Sequence, residues 1–461
     1  MMQRPNFILI TIDALRRDIL NCYEADRSIT PNLDRLAREG VLFIQAITAG
    51  SWTQSAFPPL LTSSYASSYG GCLNGLSPER PSPIEALCSS GYHTAGFSNN
   101  PHLSAQTGYS RGFEHFKDLE PGQNDPWLRK VKGGQRLLRW SATHRISRLF
   151  GITLRPGRVY SSAEETTQCV CAWLAQCRVP FFTWVHYMDV HWPYHIEERL
   201  SSPKELAQAW QDLSIMYRWT KDPACLISQH QVDRFRLLYE QSLQYLDEQV
   251  GRLVRAVDQD RRLHNTIFIV TSDHGEEFLD HGRWGHWESN LYDEILRVPL
   301  FIRLPDRQPR FIHRQVRSLD IMPTILDLSG CNPPENLEGK SLSMLWSEND
   351  TSPARILEDA NISISEMYRP PWHRIAVRTE EYKLIWDNKQ PDKPLLFDLR
   401  LDPGETRNVS SDHREQLNSL HAIVNTHLQR KDAKIGPSTY APVVELDEKA
   451  IQRLHDLGYW D

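Results

Sequence analysis

The strongest constraint lies near the start of the chain. Phe7 to Thr11, within NFILITID, form a continuous apolar, β-branched run, and Asp13 follows almost at once. A run with no polar alternation reads as a strand buried on both faces, which requires a sheet covered by helices on both sides. A second such run, Ile267 to Val270, ends in Ser272-Asp273-His274-Gly275. Open α/β sheets bind ligands beyond the carboxyl ends of their strands. Asp13 and Asp273-His274 are therefore expected at one sheet edge, although they lie far apart in sequence.

The remaining pattern fits that frame. Thr30-Pro31 opens a helix with Thr30 as N-cap and Gly40 as its stop. Val41 to Ile47, Tyr92 to Phe97, Phe181 to Tyr187 and Val298 to Arg303 read as further strands. Leu243, Leu246, Val250, Leu253 and Val257 mark one face of a long helix over Leu237 to Val257. Alternating strands and helices predict an α/β fold, with a large α/β/α domain around a mostly parallel mixed sheet. After about residue 355 the elements shorten: Ile362 to Glu366, Arg374 to Thr379, Lys383 to Trp386 and Leu396 to Leu399, then a helix over Asp412 to Arg430. This predicts a smaller C-terminal α+β domain with an antiparallel sheet. The division is placed at 1–354 and 355–461, reasonable for 461 residues.

Composition mainly excludes. A formal net charge of −6 gives no reason to expect nucleic acid. No segment is apolar enough to span a membrane, and the opening residues read as a strand rather than a signal peptide. A reduced, cytoplasmic setting is therefore expected, with the Asn349, Asn361 and Asn408 sequons as chance matches, and the eight cysteines contain no C-x-x-C pair, which argues against a zinc finger or a thioredoxin-like motif. From Arg129 to Arg158 the chain holds nine Lys/Arg and no acid. Such a stretch can be an amphipathic element meeting a membrane or an anionic substrate. The plainer reading, a solvated helical insertion, is preferred.

Several residues could carry chemistry, each with a plainer alternative. Asp273 and His274 can ligate one divalent ion, with Gly275 allowing the turn, or Asp273 can cap the next helix. Asp13 can add a carboxylate or cap the turn before Leu15. Thr53 can be a nucleophile that a metal activates, or simply a helix N-cap. His186, His191 and His195 follow a strand in HYMDVHWPYH, and His281 and His286 follow the Asp273 turn in HGRWGH. Any of these can donate to an ester oxygen, or be a core histidine with satisfied hydrogen bonds, as expected for His186.

Taken in order, the segments NFILITIDALRRD, TPNLDRLAREGVLF, the loop ending in LLTS, GYHTAGFSNNP, FFTWVHYMDVHWPY, TSDHGEEFLDHG, LYDEILRVPLFIRLP, SLDIMPTILDLSG and LFDLRLDPGETRNVS resemble the sulfatase family of the alkaline-phosphatase superfamily over nearly the whole chain. The resemblance implies the two-domain fold above and a metal-dependent hydrolase of sulfate or phosphate esters. It puts Asp13, Asp273 and His274 on the metal ligands, with Thr53 beside the ion. Thr53 also falls on the nucleophile and His191 on an active-site histidine. His286 and Asn100 stand where many relatives carry substrate-contacting lysines. His195 and His281 are further candidates for contact with substrate.

The departures narrow the chemistry. Sulfatases carry Cys or Ser in a C/S-x-P-S/T-R loop and convert it to formylglycine. Here Thr53 fills that slot, Ser55 replaces the Pro and Phe57 the Arg, and formylglycine cannot form from Thr. Ala14 replaces a second Asp, so one Mn²⁺ or Zn²⁺ ion fits better than Ca²⁺, with a second ion allowed if His191, His195 or His286 ligate it. The expected substrate is a small-molecule, glycan-linked or lipid-linked anionic ester, hydrolysed through Thr53. The competing readings are a sulfuric ester hydrolase in the strict sense, a phosphoryl or phosphonate-type transferase, and a non-catalytic relative that binds an anion.

Overall fold

The first apolar run is β1 (Asn6–Ile12), buried at every position. The structure is a computed structural model. It describes residues 4–121 except 24, 70, 72 and 74, residues 160–194, scattered positions of 204–218, residues 227–346 except 287–289 and 307, residues 362–433 and residues 446–457. After β1 come α1 (Pro31–Arg38), β2 (Val41–Ile47), α2 (Thr53–Thr62), α3 (Pro83–Ser89), β3 (His93–Ser98), β4 (His115–Asp118), α4 (Ala163–Leu174), β5 (Phe181–Tyr187), α5 (Gln229–Gln259) and β6 (Thr266–Ser272). A short hairpin of β7 (Glu277–Phe278) and β8 (Trp284–Gly285) leads to α6 (Asp293–Leu296), β9 (Arg297–Val298), β10 (Leu300–Arg303), β11 (Arg310–Arg317) and α7 (Ile321–Ser329).

The large sheet runs β11-β2-β10-β6-β1-β5-β3-β4, with β9 pairing to β2. β1 lies parallel between β5 and β6, while β10 is antiparallel to both its neighbours. β1 shows why helices cover both faces. Ile8, Ile10 and Ile12 pack on one side with residues of α1, α4 and α5, whereas Phe7 and Leu9 pack on the other with residues of α2, α3 and α7. Each side chain lost from water contributes roughly 1.5–3 kcal/mol, so the strand has no stable place at a surface.

The second sheet is an antiparallel meander of β12 (Ser363–Arg369), β13 (Trp372–Arg378), β14 (Tyr382–Asp387) and β15 (Leu395–Asp398). One face packs on α8 (Arg414–Ala433) through Ile375, Val377, Leu384 and Leu396. The other face joins Ile47, Ile295 and Leu296 of the large unit. A last helix, α9 (Glu448–Asp456), contacts the turn at residues 101–103.

Some local expectations change. The strand foreseen over Val298 to Arg303 is split at Pro299, which has no N–H to donate to a ladder. α5 starts earlier than foreseen because Ser228 forms a capping box with Gln231. Thr30 holds the N-cap position of α1, yet its side chain makes no cap bond. Asp247 of α5 accepts from the N–H groups of Asn32 (3.1 Å) and Leu33 (2.8 Å) instead, so the cap comes from a neighbouring helix. The basic stretch from 129 to 158 and the 354/355 boundary lie outside the described residues.

Candidate metal-dependent active site

Register brings the two acidic turns together. Ile12 pairs with Ser272 across parallel strands, so Asp13 and Asp273 leave the sheet side by side. Asp13 does not cap the turn that follows it. Asp273 Oδ1 accepts from the Ala14 N–H (3.2 Å), Ser272 Oγ from that of Leu15 (2.9 Å) and Tyr239 Oη from that of Arg16 (2.9 Å). The Asp13 carboxylate is left to face the centre.

Three ligand-type atoms converge there. One carboxylate oxygen each of Asp13 and Asp273 and one ring nitrogen of His274 lie within 4.8 Å of one another, fully buried. Among the described residues, Asp13 Oδ1 and Asp273 Oδ2 accept no hydrogen bond. His274 Nδ1 is 2.9 Å from the Gly275 carbonyl, which fixes the proton on Nδ1 and leaves a lone pair on Nε2. That lone pair lies 3.7 Å from Asp13 Oδ1 and 3.4 Å from Asp273 Oδ2. Three lone pairs buried against one another are costly unless a cation sits among them. The donor set therefore fits a divalent ion.

The electrostatics agree. Burial, and then the charge of Asp13, push the Asp273 carboxyl up to about 7. Burial also raises Asp13, but His191, His186 and His274 outweigh it and hold that carboxyl below the usual range. Burial lowers His274, and brings His191 and His286 down to about 4, so all three rings are neutral near pH 7.

Thr53 is the first residue of α2, and the cap position falls on Trp52, so its hydroxyl is not the helix cap. Its Oγ1 stands 3.5 Å from His274 Nε2, at the positive end of the helix dipole. Gly50 makes this approach possible, because a Cβ there would lie 2.2 Å from the Ser55 carbonyl carbon. Asn100 Nδ2 lies 3.4 Å from Asp13 Oδ2. The His286 ring touches those of His274 and His191, with centroids 4.4 Å and 4.8 Å away.

Asp13, Thr53, Asp273, His274, Asn100, His191 and His286 are thus brought together. His281 is not: its ring stacks on Tyr292 at 3.6 Å, and its nitrogens meet Glu294 (2.8 Å) and the Gly404 carbonyl (3.0 Å). It belongs to the seam between the two sheets. His195 lies outside the described residues. Two neighbours were not singled out as site residues. Trp184 Nε1 donates to Thr11 Oγ1 (2.9 Å), whose own proton suits His186 Nδ1 (2.9 Å); His186 Nε2 then points its hydrogen toward Asp13 Oδ2, 3.3 Å away. Glu276 is fully buried beside His286, and burial raises it to about 7. Phe57, where an Arg was expected from the resemblance, sets its ring edge-on to His186 at 4.9 Å and packs on Trp184.

The model of the family described as Sulfatase matches residues 5–331. The chain belongs to the sulfatase family. It is an ester hydrolase by that membership. A second model, described as N-sulphoglucosamine sulphohydrolase, C-terminal, matches residues 282–434. An arylsulfatase of Clostridium perfringens is 26% identical over 485 residues, covering 93% of this chain and 95% of its own. Arylsulfatase K of Mus musculus is 30% identical over 240 residues, 47% of this chain and 41% of its own. Among solved structures, the phosphonate monoester hydrolase of Agrobacterium radiobacter superposes with a TM-score of 0.70 at 22% identity, covering 94% of this chain and 96% of that one. This sulfatase-family fold accounts for both sheets. No helix among the described residues is long and apolar enough to cross a membrane.

Proposed function

We propose that the chain hydrolyses monoanionic phosphate or phosphonate esters through Thr53, with one divalent ion held by Asp13, Asp273 and His274. The observation that carries this reading is the Thr53 hydroxyl, 3.5 Å from His274 Nε2 and beside two carboxylate oxygens that accept no hydrogen bond among the described residues. A bound divalent ion would lower the pKa of that hydroxyl and offset charge on the reacting group. The chain's own residues do the rest. Thr53 Oγ1 attacks phosphorus as the bond to the leaving-group oxygen breaks and that oxygen takes up a proton, and water then attacks the Thr53 ester and displaces Oγ1. The N-terminus of α2 favours the negative charge at that oxygen. Asn100 offers an amide to substrate oxygens, and His191 and His286 handle protons for leaving group and water. His195 and His281 were expected to touch substrate; the contacts of His281 argue against that role.

The two carboxylates and one imidazole favour Mn²⁺ or Zn²⁺ over Ca²⁺, and His191 and His286 stand near enough to help hold a second ion. A small-molecule, glycan-linked or lipid-linked ester is the expected partner. The division into 1–354 and 355–461 is supported by the antiparallel sheet lying wholly after residue 362. A reducing, cytoplasmic setting is supported by the free thiols of Cys22, Cys88, Cys169, Cys171, Cys177 and Cys331.

A second reading, sulfate ester hydrolysis in the strict sense, is favoured by the arylsulfatases among the relatives. Metal analysis of the purified protein, with wild type and Thr53→Ala compared on aryl phosphodiesters, phosphonate monoesters and sulfates, separates the readings. The proposal expects phosphoester turnover that vanishes in Thr53→Ala. A clear sulfate preference selects the second reading. Product carrying the group on an added alcohol would indicate transfer, and turnover that survives Thr53→Ala would remove the nucleophile. Stoichiometric anion binding without turnover would leave only a binding protein.

A further inference from the structure

Glu276 sits fully buried beside the centre without belonging to the metal triad. Its carboxylate has two partners. Tyr194 Oη donates to Oε2 at 2.6 Å, and Oε1 lies 3.0 Å from His286 Nδ1. An acceptor that already takes the tyrosine proton calls for a hydrogen on His286 Nδ1. The neighbouring rings are anchored in the same sense: His274 Nδ1 to the Gly275 carbonyl at 2.9 Å and His191 Nδ1 to the Trp192 carbonyl at 2.5 Å. His286 differs because its anchor is a side-chain carboxylate and not a backbone carbonyl. His286 Nε2 has no hydrogen-bond partner among the described residues, and the ring lies against both His274 and His191.

We propose that Glu276 is a positioning residue: it holds His286 with the proton on Nδ1 and Nε2 toward the reaction centre, so that Tyr194, Glu276 and His286 form one arm that exchanges a proton with the group on Thr53. When water attacks the phosphorus of the Thr53 ester, its proton passes to Nε2. As the P–O bond to Thr53 breaks, Nε2 returns that proton to Oγ1, leaving the enzyme unchanged. The inference rests on the Thr53 reading.

Its test uses the full chain, metal-free and zinc-loaded, with histidine rings labelled with ¹⁵N. In wild type the His286 ring, assigned by the signal that His286→Asn removes, should show the Nδ1–H form. In Glu276→Gln that ring should become a mixture of tautomers, because an amide can both donate and accept. For phosphodiester hydrolysis, Glu276→Gln should lower kcat about 10–100-fold with KM little changed. Combined with His286→Asn it should add almost nothing, because the two side chains act as one unit. Tyr194→Phe, a milder change, should lower kcat in the same direction and serves if Glu276→Gln does not fold. An unaltered ring spectrum in Glu276→Gln, fully additive losses with His286→Asn, or wild-type kcat in Tyr194→Phe would each overturn the proposal. If Thr53→Ala keeps full turnover, the reading of Thr53 fails, while the ring spectrum still reports the Glu276–His286 pairing.

Discussion

Asp273→Asn should stabilise the metal-free protein, although it removes a ligand. The ligand atoms of Asp13 and Asp273 lie within 4.8 Å of one another, and among the described residues neither Asp13 Oδ1 nor Asp273 Oδ2 accepts a hydrogen bond. Two unit charges at that separation repel by about 3 kcal/mol at an effective dielectric of about 20. The unfolded chain feels almost none of this. An asparagine in that place keeps Oδ1 as acceptor for the Ala14 and His274 N–H groups and turns an amide donor toward Asp13. For a chain of 461 residues the unfolding entropy is about 1 kcal/mol per kelvin, so the gain is a rise of about 3 °C in Tm. Calorimetry with chelator, above the pH of about 7 at which Asp273 ionises, reads the effect. With the ion present at about 100 times its Kd, wild type gains about 2.7 kcal/mol, and the Asp273→Asn variant loses most of that increment. A lower Tm for the substituted apo-protein would refute the reasoning, since the carboxylate would then be a structural acceptor and not half of a repelling pair.

Gly275→Ala should weaken metal binding and stability together, because a Cβ there would lie 1.9 Å from the Glu294 carbonyl oxygen and the Gly275 carbonyl anchors His274. We expect about 1–3 kcal/mol lost in a denaturant titration and about 10–100-fold weaker ion affinity by calorimetry. At the seam, burial lowers the pKa of His281, but the hydrogen bond and charge of Glu294 outweigh it and bring it up to about 9. Its stabilisation is then complete below about 6.5 and fades as pH rises through about 9, up to roughly 3 kcal/mol. His281→Gln should flatten the Tm–pH curve in that window and lower Tm by the full amount below it. Glu366 is buried and accepts from His373, His427 and Ser67. Burial raises its pKa, yet the hydrogen bonds from His373 and His427 hold it well below the ordinary glutamate range, so its contribution is present above that range and lost in acid. Glu366→Ala should destabilise by about 3–5 kcal/mol by chemical denaturation, because it strands two buried imidazoles.

What the sequence revealed of this site follows from which forces are local. Phe7 to Thr11 and Ile267 to Val270 announce buried strands through their own side chains, so the meeting of Asp13 with Asp273 could be read before any coordinates. The same holds for the change to short strands after residue 355. His281 and His286 could not be told apart that way. They stand five residues apart in one loop, and only the pairing of β7 with β8, with Leu279 and Gly282 at positive φ, sends His286 inward and His281 to the seam. Glu276 was equally hidden, since its role depends on Tyr194, 82 positions away. The cap of α1 fails for the same reason: Thr30 fits the local rule, but Asp247 reaches its N–H groups from another helix.

β12 has a consequence for the order in which this molecule becomes competent. The Glu366 N–H donates to the Ala49 carbonyl (2.9 Å), Gly50 bridges to the same residue, Ser365 Oγ donates to the Thr48 carbonyl (2.6 Å), and Ser67 is held by the Glu366 side chain. These contacts grip both flanks of the helix that carries Thr53. The three candidate ligands, by contrast, all lie at or before residue 274. The loop that carries Thr53 is thus held by a strand encoded some three hundred positions later. On the proposed reading of Thr53, a chain cut short before β12 would keep the three candidate ligands and lose the contacts that seat the hydroxyl.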